Sequence, residues 1–112
     1  MISEVASLYI IDGLASEFES QFRRASPLLS GSKGYISHEL HKCIEERNKY
    51  LLMIKWRSVS DHLISFKQST AYEEWRLMLA PFFDSAVEAE HYISIRLPST
   101  NSDTSKVSEG PI

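Results

Sequence analysis

Between Trp56 and Arg76 the chain gathers its chemically most capable side chains: Trp56, His62, Phe66, Tyr72, Trp75 and Arg76. Aromatic rings at this density can wall an apolar, water-poor site. A guanidinium on an inward stripe needs an anionic partner, which makes Arg76 the candidate holder of a bound anion. Each residue also has a packing reading. Trp56, Phe66 and Trp75 serve as core, and Tyr72 as a core ring with its hydroxyl at the surface. His62 serves as a core imidazole bonded to a backbone carbonyl, and Arg76 as a side chain snorkelling to water. The residues alone leave both readings open.

Other chemistries lack their residues. Gly31 and Gly34 stand among serines with no following Lys-Ser/Thr, so no phosphate loop is encoded. His38 and His41 point to opposite faces of an expected strand and cannot share a metal. Glu39 and His41 share a face without a third ligand, so no metal site is expected. No serine sits in a nucleophile elbow. Cys43 has no helix N-terminus nearby to lower its pKa, and as the only cysteine it has no partner for a disulfide within the chain.

The elements that must position these residues follow from apolar periodicity. Val5 to Ile11 reads as a strand buried on both faces. Ser16 to Glu19 has capping-box spacing, and Phe18, Phe22, Ala25 and Leu29 recur at helical intervals until Pro27 ends or bends the helix. Tyr35 to Cys43 reads as a second strand, with Ile36, His38 and Leu40 on one face and Ser37, Glu39 and His41 on the other. A polar turn then leads to Tyr50–Trp56, and the pair forms an antiparallel hairpin. Ser58–Asp61 is a cap signature, followed by a stripe of Val59, His62, Leu63 and Phe66. Thr70–Glu73 repeats the capping spacing, and Tyr72, Trp75, Arg76 and Leu79 share a face that ends at Pro81. Val87 to Ile95 is the last strand. The order β-α-β-β-α-β, with the second helix broken, predicts an α+β ferredoxin-like fold. Its four-stranded antiparallel sheet carries helices on one face, in a domain spanning 1–97. Residues 98–112, rich in Ser and Thr, read as a disordered tail. Strands one and three carry apolar residues at both parities, so the open sheet face is expected to pack against a second copy in a homodimer.

With 112 residues, 43% hydrophobic and 24% charged, the chain is one ordinary globular domain. A net charge of −3 provides no basic field for nucleic acid. No apolar run approaches a membrane span, and the N-terminus carries no signal-peptide pattern, so the expected compartment is cytoplasmic.

At Trp56-Arg57-Ser58, His62, Phe66, Ser69, Tyr72, Trp75-Arg76 and Pro81-Phe82, the chain resembles the antibiotic biosynthesis monooxygenase family over about residues 4 to 96. The resemblance implies a dimeric α+β barrel. One activity within the group is cofactor-independent oxygenation of phenols to quinones, in which the deprotonated substrate supplies the electrons. On this chain that implies catalytic roles for Trp56, Arg76 and His62. Arg76 would hold the anion by charge-assisted hydrogen bonds. A neutral His62 would stand as base where relatives use a Tyr. Phe66, Tyr72 and Trp75 would line the substrate, a small hydrophobic or aromatic molecule. A second activity, haem degradation, uses an Asn on strand one, a helical Trp and an iron-ligating His. Here no Asn lies between Glu4 and Asp12, and Phe66 and Arg76 stand at the other two positions. Arg cannot replace imidazole on iron, so haem breakdown is disfavoured. The leading expectation is an oxidoreductase. The alternatives are a non-catalytic dimeric module for a small ligand and a stress-related scaffold.

Overall fold

The computed structural model describes residues 1–98. The tail expected at 98–112 lies, apart from Pro98, outside the described residues. Strand β1 (Ile2–Tyr9) leads to helix α1 (Ala15–Ser30), then to hairpin strands β2 (Tyr35–Lys42) and β3 (Lys49–Trp56). A π-helical segment (Asp61–Phe66), helix α2 (Thr70–Leu79), a 3-10 turn (Ala80–Phe82) and strand β4 (Glu88–Tyr92) complete the chain. The sheet is antiparallel throughout, in the order β2-β3-β1-β4. That is the ferredoxin-like arrangement expected from the element order.

The core lies between the sheet and the helices. Glu4, Ala6 and Leu8 of β1 and Tyr50, Leu52, Ile54 and Trp56 of β3 point inward at alternate positions. They meet Phe18, Phe22, Ala25 and Leu29, the four stripe residues of α1. Among the described residues, no helix lies over the opposite sheet face. Val5, Leu51 and Met53 are half-buried there, among Ser3, Ser7, Glu39 and His41. Among the described residues, no helix is long and apolar enough to cross a membrane.

Several local expectations are corrected. The Ser16–Glu19 capping box does not form, because Ser16 already lies inside α1 and Leu14 occupies the cap position without a side-chain bond. Pro27 does not end α1. It sits in the last turn, where the helix runs on to Ser30 and the Gly31 amide closes onto the Pro27 carbonyl at 3.0 Å. In β2 an irregularity between Tyr35 and Ser37 shifts the register, so Tyr35 rather than Ile36 faces the helices and Ile36 is exposed. The cap of α2 is Ser69 rather than Thr70, and its Oγ accepts the Tyr72 amide at 3.0 Å. β4 stops at Tyr92, short of Ile95.

The Ser58–Asp61 cap forms: Ser58 Oγ accepts the Asp61 amide at 3.2 Å. Gly34 has φ +78°, and a β-carbon there would collide with the Asp61 side chain. The start of β2 therefore needs glycine both for its backbone and for the close approach of the π segment. That segment widens from i→i+4 to i→i+5 bonding, with the Lys67 amide on the His62 carbonyl at 3.0 Å. A wider turn aligns residues four apart. His62 and Phe66 are buried, whereas Val59 and Leu63, read onto the same stripe, face solvent.

Candidate active site

Register brings three distant parts of the chain together. Glu4 on β1 pairs with Ile54 on β3 and with His91 on β4. Two residues beyond Ile54, Trp56 ends β3 fully buried, and its indole Nε1–H donates to Glu4 Oε1 at 2.9 Å. The π segment lays the His62 ring over Trp56, with centroids 5.6 Å apart and planes 18° apart. His62 Nε2 lies 3.2 Å from Glu4 Oε2, and His62 Nδ1 lies 2.8 Å from His91 Nε2. Glu4 is 7% exposed and His62 4%. A carboxylate rarely sits this deep without partners. Here both of its oxygens have one.

Burial sets the protonation of the pair. Loss of water raises the Glu4 pKa, opposed by the Trp56 hydrogen bond and the charge of Lys67. Burial pushes His62 down to about 4, helped by His91 and Lys67. His62 is therefore a neutral imidazole near neutral pH. The Glu4–His62 contact is then a carboxylate facing an uncharged ring rather than an ion pair.

Glu4 and His62 open onto a cavity of about 140 Å³ between the sheet and the second helical region. Leu52, Ile54, Phe66 and Trp75 are among its apolar walls. Phe66 packs edge-on to Tyr72 at 5.3 Å and to Trp75 at 6.3 Å. Lys67 and Arg76 also line the cavity, and the Lys67 ammonium lies 6.0 Å from the Tyr72 ring centre.

The structure distributes the six candidate residues as follows. His62, Phe66, Tyr72, Trp75 and Arg76 all border this one cavity. Trp56 does not line it and stands behind His62 and Glu4. The Arg76 side chain is 48% exposed, and its guanidinium is held by Glu73 at 2.7 Å. It sits at the rim rather than in the chamber, and an incoming anion would have to compete with Glu73.

Sequence reasoning missed Glu4 and His91. Glu4 carried one signal: an acid at the inward parity of an otherwise apolar strand. His91 carried none, because only pairing across the sheet sets it beside His62. A second cluster was also missed. His38 is set between the Tyr35 hydroxyl at 2.5 Å and Ser26 Oγ at 3.3 Å, beside an open groove of about 340 Å³. Ser26 donates to the Phe22 carbonyl at 3.0 Å, so its proton is committed to the helix backbone and the group is not arranged as a nucleophile. On the open sheet face, Glu39 and His41 pair at 2.8 Å. Among the described residues, no cluster of three or more His, Cys, Asp or Glu could hold a metal ion.

Comparison with known proteins agrees with the fold. A family profile described as antibiotic biosynthesis monooxygenase matches residues 1–77. The uncharacterized protein YczJ of Bacillus subtilis is 46% identical over 92 residues, covering 82% of this chain and 97% of YczJ. A crystal structure of a candidate antibiotic biosynthesis monooxygenase from Bordetella bronchiseptica superposes with a TM-score of 0.82 at 29% identity. It covers 85% of this chain and 97% of its own. SnoaB from Streptomyces nogalater, a cofactor-independent oxygenase, shares the fold with a TM-score of 0.72 at 18% identity, over 86% of this chain and 94% of its own. With residues 1–77 matched by the family profile, the chain belongs to the antibiotic biosynthesis monooxygenase family.

Proposed function

We propose that the protein is a cofactor-independent monooxygenase that oxidises a small aromatic or enolic substrate with molecular oxygen. Family membership supports a monooxygenase-type role in general terms. The observation that carries the specific reading is the buried Glu4–His62 pair opening onto an apolar cavity.

The chemistry needs a base in a dry site. Glu4, with its pKa raised by burial, takes the acidic proton of a phenol or enol. Trp56 and His62 hold its two oxygens in place. Phe66, Tyr72 and Trp75 enclose the resulting anion and keep water away. Lys67 and Arg76 at the rim favour the negative charge. The anion then gives electrons to oxygen. One phenol and one O₂ become one quinone and one water, so the substrate itself is the reductant. A cavity of about 140 Å³ is close to the roughly 150 Å³ that holds one benzene ring. A single-ring phenol or enol fits this volume. Two copies pack through the open sheet face, covering Val5, Leu51 and Met53.

Oxygen uptake with a panel of single-ring phenols and enols tests this reading. Glu4→Gln should lower the rate by about 100-fold or more while ligand binding, followed by tryptophan fluorescence, persists. Arg76→Ala should act mainly on KM. If no panel member consumes oxygen above the buffer control, the oxygenase reading fails. Binding without turnover would then point to a ligand-carrying module.

A further inference from the structure

Glu4, His62 and His91 stand in a line that crosses from the cavity to the edge of the sheet. The two contacts are Glu4 Oε2 to His62 Nε2 at 3.2 Å and His62 Nδ1 to His91 Nε2 at 2.8 Å. The three residues come from β1, the π segment and β4. Glu4 and His62 are buried, whereas His91 is only partly so. A buried imidazole with a proton-exchanging partner at each nitrogen can pass a proton through its ring. A purely structural pairing of Glu4 with His62 would not need the second histidine.

We propose that His91 is the solvent end of a proton relay that charges and discharges Glu4 through His62. Two proton arrangements satisfy both contacts. In the first, His91 Nε2–H donates to His62 Nδ1, and His62 Nε2–H donates to the Glu4 carboxylate. In the second, the Glu4 carboxyl O–H donates to His62 Nε2, His62 Nδ1–H donates to His91 Nε2, and His91 carries its own proton on Nδ1. The two differ by a single proton. A proton from water joins His91 Nδ1, the His91 Nε2 proton moves to His62 Nδ1, and the His62 Nε2 proton moves to Glu4 Oε2. Each ring holds the same number of protons before and after, and nothing is oxidised or reduced. Run in reverse, the same shifts return the proton from Glu4 to water.

The surroundings fit this transfer. Burial disfavours an imidazolium at His62, and the positive charge of Lys67 acts in the same direction. Trp56 donates to the other Glu4 oxygen in both arrangements. Asp61 is engaged by Ser58 at 3.1 Å, and Arg76 by Glu73. On β4, Glu90 accepts from the Tyr92 hydroxyl at 3.0 Å, and alternation places both on the sheet face opposite His91. None of these groups interrupts the line. The relay's use in turnover rests on the oxygenase reading; its existence does not.

Nuclear magnetic resonance on the full chain, with labelled histidine and glutamate side chains, tests it without a substrate. In the wild type, His62 should change from the Nε2–H to the Nδ1–H tautomer as pH falls. The Glu4 carboxyl carbon should titrate at the same midpoint, above the usual carboxylate range. His91→Phe removes the acceptor for the His62 Nδ1–H, so His62 should hold the Nε2–H tautomer while Glu4 titrates. The β4 amide resonances check that the strand still pairs in this variant. A wild-type His62 tautomer that stays constant through the Glu4 titration would overturn the relay. So would an unchanged coordinated step in the His91→Phe variant. Absence of oxygen uptake would leave this result standing, and oxygen uptake without the tautomer switch would remove the relay alone.

Discussion

His62 should make the protein lose stability in mild acid, and the size of the loss can be worked from its burial. The ring is 4% exposed, and its pKa falls from 6.5 to about 4 on folding. A depressed base is protonated more readily in the unfolded chain. Its contribution is fully present above the unfolded value and disappears as pH falls through the folded one. The separation corresponds to about 3 kcal/mol, at about 1.4 kcal/mol per pH unit. Glu4 runs the other way. Its pKa is raised by burial, so its contribution is present below the ordinary carboxylate value and is lost as pH rises through the folded one. His38 is also pushed down by burial and runs with His62. The comparison that isolates His62 is therefore wild type against His62→Gln, which keeps a donor for Glu4 and removes the titration. Urea unfolding at several values between about pH 7 and about pH 4 should show the stability gap between the two proteins shrinking by about 3 kcal/mol. A gap constant within about 0.5 kcal/mol would refute the buried neutral imidazole and the site built on it.

Three further outcomes follow from the same geometry. Gly34→Ala should cost about 2 kcal/mol or more, because it combines a positive φ with a collision against Asp61; adding Asp61→Gly should recover part of the lost urea midpoint. Ser69→Ala should cost about 1 kcal/mol by removing the acceptor for the Tyr72 amide, whereas Thr70→Ala should be close to neutral. Met53→Arg, on the open sheet face, should halve the native mass in solution without changing the far-ultraviolet circular dichroism. A dimeric mass in that variant would remove the sheet face as the interface.

The amino-acid sequence by itself determined the element order, the buried stripe of α1 and the hairpin, because helical and strand periodicities act between near neighbours. It also marked Phe66, Tyr72 and Trp75, whose helical spacing carries them to one side, and the broken second helix that holds them. It did not determine the centre of the site. Trp56 lies fifty-two positions from Glu4 and His91 twenty-nine from His62, and no local pattern links residues so far apart. Strand register alone sets Glu4 between Trp56 and His91, and a one-residue slip would turn the carboxylate to the other face. The π segment was equally hidden, since its wider turn forms where His62 and Phe66 can both reach the core. Arg76 shows the converse. Its spacing placed it on an inward stripe, but its guanidinium pairs with Glu73 on its own helix, and that local pairing holds it at the rim. Tertiary structure decided which polar groups lost their water, and that loss is what turned an ordinary glutamate and histidine into a buried acid–base pair.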